Sequence, residues 1–465
     1  DLLGVMEIES ALFTYVVALI KTVKPGVKGK RLSTFYRKSF IGQRFKGINI
    51  NSNTATQLYR NLGMDKKVRT DFAKKRLERL SKDAHLIVDG MLKEDNSTIN
   101  DLSGFSSKSR TKGIKNISII YAYDPEKREI ICSEVFPGGF VDSAAYSRFI
   151  QDNDIQNGIL ITDKGFPPSQ IRDELEKRPG LHFLTPLKRN DPRISSNQML
   201  KFEGVLKNTD EKVTYKKVRM KGGNYLYSFW DPKKAFIEEK VYLGTSPDKE
   251  GKLDSDKLSK KREQFGTIVF LSDVDMTPEE AYACYSDRWI IELAFKLIKN
   301  DLDIHTTDVQ DDYTVIGEEF VNTIASMISC RILNIFRDKE LMEDASYGDL
   351  MEDLSEVWRT SDAPEGTPDR EDKYWVHPFE YALDLMIQLD LCTGQVKGQK
   401  ASGKKSEAKE EQKPEEEKVK RPRGRPRKNP IEPEKPKRPR GRPRKNPPVE
   451  DAPKRPRGRP RKNPV

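Results

Sequence analysis

The pattern of apolar and polar positions divides the chain into stretches of different period. Residues 1–82 have helical spacing and a basic character. Ala11 to Ile20 (ALFTYVVALI) forms a short apolar block, and Phe72, Leu77 and Leu80 recur among Lys74, Lys75, Arg76 and Arg79. Between them, Lys21 to Arg44 is rich in Lys, Arg and Gly and reads as a loop or arm. Two readings of that arm stand side by side, a contact to a phosphate backbone and a solvated surface. From residue 84 the texture changes. His85 to Gly90 (HLIVDG), Asn116 to Ala122 (NISIIYA) and Glu129 to Phe136 (EIICSEVF) are β-rich runs, the last two separated by the turn Asp124-Pro125-Glu126-Lys127. Ser143 to Asp152 reads as a helix, and the run from Ile159 as a buried strand ending in Asp163. Pro168 to Lys177 reads as a second helix and Leu181 to Leu187 as a further strand. Three strands, a helix, a strand, a helix and a strand predict a mixed α/β sheet.

Residues 190–275 change the pattern again. Lys212 to Met220, Asn224 to Trp230, Phe236 to Leu243 and Gly266 to Leu271 read as strands with polar turns and no clear helix, so a β-rich insertion is expected here. Pro278 to Asn300 then reads as a strong helix, with Thr277 as N-cap and Glu279 and Glu280 in its first turn. Residues 301–392 return to helix, with an amphipathic stretch from Gly317 to Arg337 and a shorter one from Pro378 to Leu391. The tail from about residue 397 has no Phe, Trp or Tyr and is dominated by Lys, Glu, Pro and Arg; it cannot bury enough surface to offset its ordering entropy and is expected to be disordered.

Charge sharpens this division. The 465 residues carry a formal +11, from 84 Lys and Arg against 73 Asp and Glu. Residues 397–465 hold 26 Lys and Arg against 10 Asp and Glu, a surplus of 16, so residues 1–396 carry a net −5. The folded part is mildly acidic and the tail supplies a positive field suited to a polyanion. Cys132, Cys284, Cys330 and Cys392 lie far apart with no CxxC pair, which argues against a disulfide framework or a thiolate zinc site and fits a reducing interior. The block at Ala11 to Ile20 is too short to span a bilayer, follows Glu7 and Glu9, and lacks the basic leader of a signal peptide; a core helix is the better reading. The chain begins at Asp1 rather than Met and so reads as a fragment of a longer protein.

The chemical clue lies in carboxylates. Asp89 and Asp163 each end a run of residues that only a buried strand wants, and active sites of open α/β sheets lie at the carboxyl ends of strands. Two such Asp repel each other unless a cation sits between them, and hard oxygen donors without His or Cys point to Mg²⁺ or Mn²⁺. A strand-end Asp that merely caps a turn is the competing reading. The helix at 278–300 adds a third acid. Tyr285, Arg288, Glu292, Lys296 and Lys299 are spaced 3, 4, 4 and 3, and at ~100° per residue they share a stripe of about 80°. Ile290, Leu293, Ala294, Leu297 and Ile298 lie away from it and are free to pack on the sheet. An ordinary solvated face with Glu292–Lys296 as an i,i+4 pair is the alternative.

In type and spacing, Tyr285-x2-Arg288-x3-Glu292-x6-Lys299 resembles the Y-R-E-K signature of DDE transposases of bacterial insertion sequences. Asp89-Gly90 resembles the segment of that family's first catalytic Asp, and Asp163-x-Gly165-Phe166 the second. The resemblance covers roughly residues 84–310. It implies a ribonuclease-H-like mixed sheet with a β-rich insertion before the catalytic helix, for which the 129-residue separation of Asp163 and Glu292 leaves room. Domains are then expected at 1–82 (helical, basic), 83–189 (first part of the core), 190–275 (insertion), 276–310 (catalytic helix), 311–396 (helical) and 397–465 (tail). The resemblance further implies Asp89, Asp163 and Glu292 as catalytic ligands of two divalent ions, Mg²⁺ or Mn²⁺. These activate a water or a DNA 3′-hydroxyl and stabilise the leaving oxygen of an in-line displacement at phosphorus. Arg288 and Lys299 would neutralise phosphates of a transposon end and Tyr285 would hydrogen-bond one. The resemblance also implies that transposon ends are cut and joined to target DNA by a protein acting as a homodimer on DNA, expected in the cytoplasm of a bacterium and associated with its nucleoid. Trp230 is a candidate, by position alone, for stacking on a flipped base, against the alternative of a core Trp; Trp289 flanks the active face and is expected to pack. The family usually carries an end-binding domain before its core, and residues 1–82 show no clear helix-turn-helix.

The tail has its own motif. RPRGRPRKNP occurs at Arg421–Pro430, Arg438–Pro447 and Arg455–Pro464, a period of 17 residues. Its Arg-Gly-Arg-Pro cores resemble the AT-hook: Gly keeps the backbone thin, Pro keeps it extended, and Arg423, Arg425, Arg440, Arg442, Arg457 and Arg459 would lie along an A·T-rich minor groove. A nonspecific polycation and a nuclear localisation signal are the other readings. Two further functions compete with an active transposase: a catalytically inactive relative kept as an AT-rich DNA-binding protein, and a nuclease of the same fold.

Overall fold

The strand that begins at His85 organises the molecule. The computed structural model describes residues 1–392 apart from 110, 141, 164–171, 208, 210, 211, 246–252, 361–373, 377 and 378. The chain divides into two units, Asp1–Ala401 and Ser402–Val465. The second, with all three Arg-Gly-Arg-Pro cores, lies outside the described residues, as do Lys164, Gly165 and Phe166.

Helices come first: α1 (Ile8–Val23), α2 (Gly29–Lys38), α3 (Phe40–Arg44), α4 (Ser52–Met64) and α5 (Lys66–Leu77). The sheet follows, with β1 (His85–Asp95), β2 (Asn116–Asp124), β3 (Glu129–Pro137), α6 (Asp142–Asp152), β4 (Asn157–Ile161), α7 (Arg172–Lys177), β5 (Gly180–Pro186) and α8 (Pro192–Ser196). Next are β6 (Gly204–Val205), β7 (Thr214–Arg219), β8 (Tyr225–Trp230), α9 (Pro232–Thr245), α10 (Ser255–Arg262), β9 (Thr267–Ser272) and α11 (Pro278–Lys296). The described residues close with β10 (Thr306–Thr307), α12 (Asp312–Asp338), α13 (Tyr347–Ser355), the short pair β11 (Trp358–Arg359) and β12 (Trp375–Val376), and α14 (Glu380–Gln388).

A ten-stranded sheet runs in the order β3-β2-β1-β4-β5-β9-β8-β7-β6, with β10 beside β1. β1, β4 and β5 are parallel; β2 is antiparallel to both β1 and β3, so β3 runs in the same direction as β1, and β9, β8, β7 and β6 continue by antiparallel pairing. This is the ribonuclease-H-like mixed α/β sheet with helical flanks that the resemblance implies. Alternation along the strands assigns two faces. Ile87, Met91, Ile117, Ile119 and Tyr121 join the core formed with α1, α4, α11 and α12. Leu86, Val88, Ile120, Ala122 and Leu160 join the core formed with α5 and α6. Because helices cover both faces, β1 and β2 are near-continuous apolar runs, which is why they stand out in the sequence.

The helical flank is held by α12, which packs on α4, α1 and β3. At the α4–α12 crossing both backbones are exposed to each other: a Cβ on Gly317 would lie 1.7 Å from the Tyr59 carbonyl oxygen, and one on Gly63 1.7 Å from that of Tyr313. Only glycine permits that approach. Beneath β1, Lys93 and Glu319 form an ion pair in which each side chain is 1% exposed. The Glu319 Oε1 also accepts from Asn322 Nδ2 at 2.9 Å, while Glu319 Oε2 is buried without a protein partner. Among the described residues no helix is long and apolar enough to cross a membrane.

Several expectations need correction. The stretch Lys21 to Arg44 is not an arm: it contains α2 and α3, with Leu32 and Tyr36 buried against Val16 and Ile20 of α1. Two apolar residues four apart suffice to seat a helix, and the surrounding cations mask them. Phe236 to Leu243 lies in α9, not in a strand, and a second helix, α10, follows it. The α9 helix buries none of its residues, so it shows no apolar stripe to give away its period. The strands of 190–275 extend the central sheet through β9. β1 runs to Asp95, five residues past Gly90.

Candidate active site

Parallel pairing brings the two strand-end acids to one place. β1 and β4 pair with Ile87 opposite Ile161. Asp89 lies two residues further along β1, so pleat parity puts it on the α11 face with Ile87; Asp163 lies two residues past the end of β4, beside Arg288 of α11. Regular pairing of β4 stops at Ile161, while β1 continues alone along that edge until β10 joins it at Glu94. The gap between β4 and β10 is where the site opens.

The third acid comes from α11. Thr277 caps the helix through a reciprocal capping box with Glu280, and Pro278 occupies the first turn, so its start is well defined. Ala281, Cys284, Ile291 and Ala294 are buried in the core it shares with β1, β4 and β8. That anchoring turns Tyr285, Arg288 and Glu292 toward the gap. The Arg288 guanidinium lies 3.4 Å from Asp89 Oδ2, 3.6 Å from Asp163 Oδ1 and 3.8 Å from Glu292 Oε1. One cation therefore stands among all three carboxylates. Asp89 forms the floor at 22% side-chain exposure, with its Oδ1 accepting from the Gly90 amide at 2.8 Å; Asp163 and Glu292 form the rim at 51% and 49%. The Tyr285 ring packs on Phe270 of β9, with centroids 4.7 Å apart, and its phenol feels the Arg288 charge.

Electrostatics follow from this arrangement. Burial pushes the Asp89 carboxyl above its usual range; the Gly90 amide and Arg288 oppose that shift, and the charges of Asp163 and Glu292 reinforce it. Burial disfavours the Arg288 charge, but Asp163, Asp89 and Glu292 outweigh it, so its proton is held more firmly than usual. The Tyr285 phenol is raised, chiefly by burial and against the pull of Arg288.

The donor set fits a hard divalent cation in kind: three carboxylates, no thiol or imidazole, already gathered about one positive charge. Among the described residues no group of three His, Cys, Asp or Glu side chains is close enough together to hold a metal ion as it stands. Of the other expected residues, Lys296 is exposed at the end of α11. Lys299 lies beyond the α-helix, in a π-helical turn at Leu297–Asp301. The wider turn changes the 100° angular step at that point of the helix. Trp230 is half-buried at the end of β8, paired with Thr214 and Thr267. Sequence reasoning did not foresee that Arg288 centres the acids, because no spacing rule reports where a flexible side chain ends.

Fold and site thus define a ribonuclease-H-like sheet with an acidic, arginine-centred cleft at the carboxyl ends of its parallel strands. The chain belongs to the transposase DDE domain family, whose model matches residues 80–315, a span that contains Asp89, Asp163, Tyr285, Arg288, Glu292 and Lys299. No curated protein matches it. Among solved structures, the cryo-EM piggyBac transposase synaptic complex with hairpin DNA is similar at TM-score 0.39 and 11% identity, over 75% of this chain and 70% of that one. The Mos1 transposase paired-end complex with left transposon end is similar at TM-score 0.15 and 13% identity, over 36% of this chain and 56% of that one.

Proposed function

We propose that this transposase cleaves the ends of a mobile DNA element and transfers the cut strands into target DNA, in the manner of the Y-R-E-K type of bacterial insertion sequences. The observation that carries this reading is the convergence of Asp89, Asp163 and Glu292 on one cation, from two strands and a helix distant in the chain. These three side chains would hold two divalent ions, Mg²⁺ or Mn²⁺. Such ions supply an activated oxygen nucleophile and stabilise the leaving oxygen at phosphorus. The protein's own part is positional. Asp89, low and half-enclosed, fixes the floor; Asp163 and Glu292, more open, face the incoming strand. Arg288 and Lys299 neutralise backbone phosphates, and Tyr285 hydrogen-bonds one of them. The protein acts as a dimer on DNA, pairing two ends, in the bacterial cytoplasm beside the nucleoid. The three Arg-Gly-Arg-Pro cores of the tail tether the enzyme to A·T-rich minor grooves, with avidity from their number.

The test is incubation of the full chain with Mg²⁺ and the DNA that flanks its coding region. Cutting followed by joining supports the reading. Binding without cutting identifies an inactive DNA-binding relative, and cutting without joining a nuclease. Asp163→Asn should abolish cleavage while DNA affinity stays within a few fold; a variant that still cuts would remove the carboxylate assignment.

A further inference from the structure

Arg288 is shared in an unusual way. A committed arginine–carboxylate pair has its atoms at about 2.7–2.9 Å, often two bonds in parallel. Here the same guanidinium spreads over Asp89, Asp163 and Glu292 at 3.4, 3.6 and 3.8 Å. No single carboxylate owns it, so leaving requires no strong bidentate pair to break. A divalent cation binding the three carboxylates competes with the guanidinium for the same oxygens. Arginine cannot yield by losing its proton, and a dication beside it would repel it, so it must swing away. The exposure gradient gives the direction. Arg288 is 18% exposed while Asp163 and Glu292 at the rim are 51% and 49%. The way out therefore passes the rim, toward any phosphate lying across it.

We propose that Arg288 alternates between the three carboxylates and a DNA phosphate, so that divalent-cation binding and DNA binding each strengthen the other. This rests on the reading of Asp89, Asp163 and Glu292 as the metal-holding group and adds a regulation to it. With DNA absent, the guanidinium screens the carboxylates from one another and holds down their affinity for metal. A DNA phosphate draws it off and leaves the carboxylates to the ion. The cleft thereby becomes competent for metal when its substrate is in place. Tyr285, packed on Phe270 and three residues before Arg288 on α11, flanks the base of that side chain.

The experiment measures Mn²⁺ binding to the full chain by electron paramagnetic resonance, with and without a short mixed-sequence duplex. The same duplex is then titrated with and without Mn²⁺. In the unaltered protein each ligand should tighten the other by one common factor, within the roughly 5- to 150-fold range of such couplings. Arg288→Gln should bind Mn²⁺ about tenfold more tightly or better without DNA, and its coupling factor should fall toward one. Arg288→Lys, which keeps the charge but not the fork, should lie between the two, and gives a reading even where the glutamine variant does not fold. Equal or weaker Mn²⁺ binding by Arg288→Gln, or an undiminished coupling factor, overturns the proposal. So does an Arg288→Lys variant indistinguishable from the unaltered protein in both measurements. Asp163→Asn separates the levels: if it leaves Mn²⁺ binding intact, the metal-holding assignment itself is wrong and the proposal falls with it. If it abolishes binding while Arg288→Gln changes nothing, only the coupling is refuted.

Discussion

Asp89 on β1 and Asp163, two residues past the end of β4, follow the paired Ile87 and Ile161 at the same distance along the chain. The register of β1 and β4 brings their chain positions together, and the Arg288 guanidinium stands beside both carboxylates. Their closeness is built into the sheet and carries an electrostatic cost.

That cost gives a first prediction. Burial raises the Asp89 carboxyl above its usual range. A carboxyl raised in the fold contributes its stability below the unfolded value of about 3.9 and loses it as pH rises through the folded value. At neutral pH the ionised Asp89 therefore weighs against the fold. Asp89→Asn should unfold at a higher temperature than the unaltered protein in chelator-containing buffer, while cleavage is lost. A lower melting temperature would show that the Gly90 and Arg288 contacts outweigh burial.

The buried ion pair between β1 and α12 gives a second. Lys93 and Glu319 are each 1% exposed, so removing one partner strands a buried charge. Lys93→Met should cost about 3–5 kcal/mol in denaturant unfolding, and Lys93→Met with Glu319→Leu should recover most of that loss. A single variant as stable as the parent would mean that water reaches the pair.

The helix crossing gives a third. Gly317→Ala places a methyl whose ideal position lies 1.7 Å from the Tyr59 carbonyl oxygen. The α4–α12 contact must open, at a cost of about 1–3 kcal/mol. Gly222, with nothing within 4 Å of a Cβ, is the control, and its alanine variant should stay within roughly 0.5 kcal/mol of the parent. Equal effects at the two sites would remove the close-packing argument.

The tail gives a fourth. Deleting residues 397–465 removes a surplus of 16 positive charges. Affinity for an A·T-rich duplex should fall, and the slope of its logarithm against log salt should flatten. Unchanged affinity would refute the minor-groove reading of Arg423, Arg425, Arg440, Arg442, Arg457 and Arg459.

Much of this protein is written locally. The strands at Asn116–Asp124 and Glu129–Pro137 were legible because both faces of the sheet are covered, which makes their apolar runs nearly continuous. The start of α11 was legible because Thr277, Pro278 and Glu280 act on backbone groups within one turn. The types and spacings of Tyr285, Arg288 and Glu292 belong to the same local record. The α9 helix escaped because it buries none of its residues, and α2 because two buried residues sit among cations. Tertiary structure alone decided that β9 would carry the later strands into the central sheet. It alone set Ile87 opposite Ile161, and a guanidinium among three acids. Local signals act over a turn or a strand, whereas register and convergence depend on which distant surfaces exclude water together.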